Sequence, residues 1–223
     1  MTRKQLLIGL VAAAVIALGV VAYIFVFSGG PQENSVPESG GKLAIVLKPT
    51  DRTLGNPKAP VLMVEYAAPS CPHCSRWNAE VFPLLKKNYI DTGKVYYVFR
   101  VFPLRAADVA VESMARCLPA DNYFQFIDLM FRNQEKWDPE YGITDVHAAL
   151  VDMGRIAGMS GEQVDTCIGN QAEQKRATDV GQEASTKYGI NGTPSFIING
   201  ELRSGEFPWD QMKKLLDSML PKK

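Results

Sequence analysis

The chain has no surplus of either charge. Its 24 lysines and arginines balance 24 aspartates and glutamates over 223 residues. A protein that grips phosphate backbones carries a basic excess, so nucleic acid is not an expected partner. A disordered chain would hold fewer apolar residues than the 46% found here and would carry net charge. There is no Gly-X-Y period and no repeat of about 20–50 residues, which excludes collagen and solenoids. Four cysteines are too few to staple a miniature fold.

What is present begins with a hydrophobic run. Arg3 and Lys4 precede 22 uncharged residues, Leu6 to Phe27. As a helix that run spans roughly 33 Å, enough to cross a bilayer core. The positive flank places the N-terminus in the cytoplasm and the rest outside. A cleaved signal peptide would have a shorter apolar stretch ending in small residues. Tyr23, Phe25 and Phe27 fill this end instead, so residues 1–27 are expected to form an uncleaved signal-anchor. Residues 28–42, with four glycines, two prolines and three serines, read as a flexible linker. Residues 43–223 form the globular part.

Strand and helix then alternate. Leu43–Leu47 reads as a short edge strand, and Pro49–Pro60 is turn-rich. Val61–Ala67 is β-branched, apolar and bounded by prolines, which predicts a strong strand. A helix is expected over Cys74–Tyr89, kinked at Pro83, and a second strand over Val95–Phe102. Residues 103–192 look helical throughout, with segments at Val109–Cys117, Tyr123–Gln134, Val146–Ile156, Ser160–Asn170 and Gln171–Tyr188. Ser160 and Gln163 form a capping-box pair, and Gly189 is a natural stop. Ser195–Ile198 and Glu201–Ser204 flank Asn199-Gly200, a hairpin signal. Pro208–Leu220 is a final amphipathic helix. The outline is α/β: a central sheet covered by helices, with a helical insertion.

The chemistry lies in Cys71-Pro72-His73-Cys74, where a strand gives way to a helix. A helix start favours negative charge at Cys71 through the macrodipole and unpaired N–H groups. Pro72 suits a first helical turn and has no N–H to leave unsatisfied. His73, protonated or donating a hydrogen bond, would favour the thiolate further. The thiolate is the nucleophile of disulfide exchange, and Cys74, one turn on, can resolve a mixed disulfide. A bare Cys-x-x-Cys could also be half a zinc site or an inert crosslink. Zinc needs four good ligands, and only Cys117, Cys167 and His147 remain as soft candidates. Ser75 follows Cys74, which excludes a c-type haem. No metal or cofactor is expected.

These features resemble the DsbA-like thiol–disulfide oxidoreductases of the thioredoxin superfamily. Leu54-Gly55-Asn56-Pro57, Val64-Glu65-Tyr66, Phe102-Pro103-Leu104 and Thr193-Pro194-Ser195-Phe196 are also similar to that family. The resemblance runs from about Thr50 to the C-terminus and implies a thioredoxin-like fold. It implies that Pro194 is cis and packs on the cysteine pair, with the Thr193 backbone receiving an extended client segment. It implies that Glu65 is a partly buried carboxylate relaying protons to Cys74; a strand-edge charge facing solvent is the alternative. It also implies reduced, unfolded exported proteins as clients and a membrane quinone-linked partner for re-oxidation. A monomer is expected.

An oxidising compartment favours a bond between Cys117 and Cys167, closing a loop for about 4 kcal/mol of stabilisation. Two separately buried thiols are the alternative. His147 reads as a surface or boundary residue. Phe124, Phe126, Phe131 and Trp137 read as insertion core, and Met114, Met130, Met153 and Met159 as core filler. The leading expectation is an extracytoplasmic disulfide oxidase. Thr193 keeps a reductase or isomerase in view, because threonine before that proline also resembles reducing relatives. A copper carrier of the same fold generally spaces its cysteines by three residues, which argues against it here.

Overall fold

Strand β2 (Val61–Ala67) is the middle of a five-stranded sheet and leads the chain to the cysteine pair. Its β-branched and apolar side chains are buried on both faces, as a central strand requires. It runs parallel to β3 (Val95–Val101) and antiparallel to β4 (Ser195–Ile198). Strand β5 (Glu201–Ser204) pairs with β4, and β1 (Arg52–Leu54) pairs with β3, giving the order β1-β3-β2-β4-β5. A parallel pair needs a crossover. Helices α1 (Pro72–Glu80) and α2 (Phe82–Leu85) and a wide turn at Lys86–Ile90 supply it. The computed structural model describes residues 42–221.

Between β3 and β4 lie α3 (Ala106–Cys117), α4 (Tyr123–Arg132), α5 (Gln134–Trp137), α6 (Val146–Ile156), α7 (Gly161–Ile168) and α8 (Gln171–Tyr188). The chain ends in α9 (Trp209–Met219). This is the α/β architecture with a helical insertion that the sequence implies. Ser160 caps α7, and Gln163 returns the hydrogen bond to the Ser160 N–H. Gly189 closes α8 in the left-handed conformation. Asn199 and Gly200 both have positive φ, as a tight hairpin turn between right-twisted strands demands.

The core is divided by the sheet. On the front, Met63, Ala67, Val95, Tyr97, Phe99 and Phe196 pack against α1 and the insertion helices. Phe126, Phe131, Trp137, Met114, Met130, Met153 and Met159 are buried in that same cluster, with Phe124 packed against it. On the back, Val64, Tyr66, Val98 and Ile197 pack under α8 through Val180, Ala184 and Tyr188. Cys117 and Cys167 are bonded and join α3 to α7, with their Cα atoms 6.0 Å apart. Nearby, buried Glu112 accepts hydrogen bonds from Arg116, Tyr123 and Arg176, tying α3, α4 and α8 together.

Some elements differ from expectation. Leu43–Leu47 is not a strand. It is a strap across the back of the sheet, where Leu43 and Ile45 cover the apolar cluster. Its fastenings are the Leu43 N–H on the Gly200 carbonyl at 2.7 Å and the Val46 carbonyl on Arg100 at 2.7 Å. One backbone bond to the hairpin is not a ladder. The edge strand is instead β1, within the stretch read as turns. The helix expected over Cys74–Tyr89 starts two residues earlier, at Pro72, and breaks at Val81 rather than at Pro83. Pro83 sits in the first turn of α2, where no N–H donor is needed. The expected signal-anchor and linker fall almost entirely outside the described residues. Among the described residues, no helix is long and apolar enough to cross a membrane.

Candidate active site

Strand β2 ends at Ala67, and the chain turns through Ala68, Pro69 and Ser70. The Cys71 N–H closes that turn on the Ala68 carbonyl at 2.9 Å. Cys71 keeps an extended backbone (φ −78°, ψ 118°) and is the N-cap of α1, with Pro72 in the first turn. Its sulfur does the work that a serine or aspartate oxygen does at other helix starts, accepting from the Cys74 N–H at 3.4 Å. Cys71 is 4% exposed and Cys74 is fully buried, and both are free thiols in this structure.

The two sulfurs are pushed in opposite directions. The Cys71 thiol is lowered from 9.0 to about 6. The largest cause is the hydrogen bond from the Cys74 thiol; burial opposes it, and the Thr193 side chain and the N–H groups of Cys74 and His73 add to it. Cys74 is held well above 9.0, first by burial and then by Cys71 and Glu65. Thr193 and Pro194 are joined by a cis peptide, and the Cys71 thiol donates to the Thr193 carbonyl at 3.4 Å. The Thr193 hydroxyl is buried and makes no hydrogen bond while Cys71 is a thiol. A Cys71 thiolate is the charge it can turn to.

The His73 imidazole does not face the sulfur in the manner expected. Its Nδ1 lies 2.9 Å from Glu206 Oε1 and 2.9 Å from Arg76 Nη2, on an exposed rim. What His73 gives Cys71 is its backbone N–H. The physical reason is competition, because the Glu206 carboxylate and Arg76 engage the ring at Nδ1.

Glu65 lies beneath the pair and is 2% exposed, so the solvent-facing alternative does not describe it. Tyr97 donates to Glu65 Oε2 at 2.5 Å. Burial raises the Glu65 carboxyl from 4.5 to about 8; the Tyr97 hydrogen bond pulls down and the Cys71 charge pushes up. Glu65 is therefore a buried acid that carries its proton at neutral pH, within electrostatic reach of both sulfurs.

Two insertion residues that sequence reasoning missed fix the turn before Cys71. Buried Asp108 accepts from the Ser70 N–H at 2.7 Å and the Ser70 hydroxyl at 3.0 Å, and from the N–H groups of Leu104 and Arg105. Gln134 Nε2 donates to the carbonyls of Pro69 at 2.7 Å and Cys71 at 3.0 Å. Asp108, in the first turn of α3, looks from sequence like an ordinary helix-start acid, and nothing local marks Gln134. Tyr97 was within reach, since the two-residue period of β3 puts it on the face that Glu65 occupies on β2. Cys117, Cys167 and His147 lie in the insertion, where Cys117 and Cys167 bond each other and His147 meets Asp165 at 2.7 Å. Among the described residues no group of three or more His, Cys, Asp or Glu could hold a metal ion.

The thioredoxin family matches residues 47–218. A Rickettsia felis protein, provisionally named a protein-disulfide oxidoreductase, is 33% identical over 196 residues, covering 85% of this chain and 67% of that protein. The chain spans about two thirds of the length of the rickettsial proteins it matches. A Bacillus cereus protein, provisionally named disulfide bond formation protein D, is 29% identical over 228 residues and 99% of each chain. Among solved structures, Wolbachia pipientis α-DsbA1 superposes with a TM-score of 0.72 at 29% identity, covering 78% of this chain and 93% of that one.

Proposed function

Because the chain belongs to the thioredoxin-fold, DsbA-like disulfide oxidoreductases, we propose that it acts outside the cytoplasm as a disulfide oxidase for exported proteins. The observation that carries this reading is the asymmetry of the pair. One sulfur is held as an anion at a helix start, and its neighbour is kept protonated over a buried acid. At pH 7 a thiol of pKa about 6 is roughly nine-tenths thiolate. The reduced pair is thereby stabilised by about 30 mV over an unperturbed site at pH 7, growing to about 90 mV above pH 9.

The cycle starts with the Cys71–Cys74 disulfide. A client thiolate attacks the Cys71 sulfur, the bond between the cysteines breaks, and Cys74 leaves and takes the proton held on Glu65. A second client thiolate attacks the client sulfur of the mixed disulfide and expels Cys71 as a thiolate. Two electrons pass to the pair, and the client gains one disulfide. An extended client segment beside Thr193 and Pro194 would add as a strand, main chain to main chain.

In this reading Leu6–Phe27 anchors the chain in the membrane with the catalytic part outside. Glu65 refills from solvent once Cys74 has taken its proton, and Cys74 releases its own proton when a membrane quinone-linked partner re-oxidises the pair. The protein works as a monomer on reduced, unfolded clients.

The test uses the full chain and a reduced client with two cysteines. Oxidation of the client is expected, with complete loss in Cys71→Ser; an unchanged rate in that variant overturns the mechanism. A thiolate titration midpoint near pH 6 is expected for the reduced protein. A reduction potential above about −200 mV supports an oxidase, and one near −270 mV, the value for thioredoxin, would favour a reductase.

A further inference from the structure

The rim of the site carries a charge cluster that the exchange cycle does not use. Arg76, one turn along α1 from His73, places Nε 3.0 Å from Glu206 Oε1 and 3.1 Å from Glu206 Oε2. Its Nη2 is 2.8 Å from Oε1, and His73 Nδ1 lies 2.9 Å from that same oxygen. Glu206 is 130 residues from Arg76 in sequence, in the loop between β5 and α9, so the fold has to bring it there.

The loop is fixed on both sides of Glu206. The Gly205 N–H donates to the Pro194 carbonyl at 2.8 Å. Phe207 packs edge-on against Phe196, with ring centroids 6.3 Å apart. The carboxylate is thus held by the same cis-proline segment that faces Cys71. Its side chain is 28% exposed, against 50% for Arg76 and 63% for His73. Burial works against its charge, yet Arg76 and His73 together hold its carboxyl below the ordinary 4.5. Arg76 in turn feels Glu206 first, and also Glu80 and the Cys71 sulfur.

We propose that Glu206 is a positioning residue that limits the oxidising strength of the Cys71–Cys74 pair by drawing Arg76 and His73 to itself and neutralising the positive rim beside Cys71. This rests on Cys71–Cys74 being the exchanging pair. With Glu206 in place, one carboxylate offsets the Arg76 charge and occupies the His73 ring. Without it, the Arg76 charge is left to Glu80 and the Cys71 sulfur among the groups it feels, and a Cys71 thiolate gains a cationic neighbour. Stabilising that thiolate stabilises the reduced pair, so the disulfide becomes a stronger oxidant.

The experiment equilibrates the full chain with reduced and oxidised glutathione. Two glutathione thiols lose two electrons and form glutathione disulfide, and the Cys71–Cys74 bond breaks. One released proton goes to Cys74 and the other to solvent, leaving Cys71 as the anion. Glu206→Gln is expected to raise the equilibrium constant for reduction by about three- to ten-fold, which is about 15–30 mV toward stronger oxidation. Arg76→Met is expected to move it the other way, and Glu206→Asp to keep the wild-type value. At 1 M salt, where charges are screened within about 3 Å, the gap between wild type and Glu206→Gln is expected to shrink toward zero. A Glu206→Gln potential that stays put, falls, or rises by an amount indifferent to salt overturns the inference. A wild-type chain that does not equilibrate with glutathione at all overturns the oxidoreductase reading, and this inference with it.

Discussion

The two faces of the sheet each bury one charged side chain, and they treat it differently. On the back, Arg100 of β3 is 4% exposed. It is met by Asp51 through two hydrogen bonds of 2.9 and 2.8 Å, by the Tyr66 hydroxyl at 2.9 Å and by the Val46 carbonyl at 2.7 Å. Burial works against its charge, but Asp51 and Tyr66 more than offset that, and the guanidinium stays ionised. On the front, Glu65 of β2 has, among the described residues, one hydrogen bond, from Tyr97, and no cation. The same two strands and the same kind of tyrosine partner thus give two outcomes. A buried charge whose partners are complete is a clamp, because it has no reason to change state. A buried group left short of partners becomes an exchangeable proton, because its two states lie close in energy near neutral pH.

The sharpest break in this contrast is Arg100→Met. It leaves Asp51 buried without its counter-charge and should cost about 3–5 kcal/mol in a denaturant midpoint. Adding Asp51→Leu should restore much of it, and a single variant as stable as wild type would show that the back face is not a clamp.

Glu65→Gln should do the opposite. The Glu65 carboxyl sits near 8 in the folded chain against 4.5 ordinarily. The folded state therefore binds that proton more tightly, and the contribution is full below pH 4.5 and lost as pH rises through 8. The variant should gain on wild type across that window, by on the order of 3–5 kcal/mol above it. The same variant should slow client oxidation by about ten- to a hundred-fold, since Cys74 loses its proton donor. Stability curves that stay parallel from about pH 4 to 9 would count against the raised carboxyl.

Tyr97→Phe removes the one hydrogen bond that favours the Glu65 carboxylate. The carboxyl should move further up, carrying the pH profile of client oxidation toward alkaline pH at a stability cost of about 1–2 kcal/mol. A profile that does not move separates Tyr97 from the acid. The smallest effect belongs to Tyr66→Phe, about 1 kcal/mol with no change in the pH profile, because Asp51 and the Val46 carbonyl still hold Arg100.

What sequence made legible was what depends on near neighbours. Val61–Ala67, Val146–Ile156, Gln171–Tyr188 and the Asn199-Gly200 hairpin follow from side-chain period and turn chemistry. The cysteine motif at a strand-to-helix junction was readable for the same reason. What stayed hidden depends on distant segments meeting. Arg52–Leu54 is a strand only because β3 offers it an edge, and in the Leu43–Leu47 strap Leu43 and Ile45 cover the back core without joining a ladder while Val46 and Leu47 stay exposed. Asp108 and Gln134 reach the turn before Cys71 from 38 and 63 residues away, and Glu206 reaches His73 from 133. His73 shows the cost of arguing locally, since its neighbours in sequence said sulfur and its neighbours in space said carboxylate.

The strap fixes one more property of the molecule. Its bond from Leu43 to Gly200 lies at the hairpin turn, where β2 begins, while Cys71 follows the point where β2 ends. Seven residues of strand separate those two poles by roughly 20 Å. The strap is therefore fastened at the pole of β2 opposite the sulfurs. A client as bulky as this domain could seat itself on the reactive pole and leave that fastening uncovered.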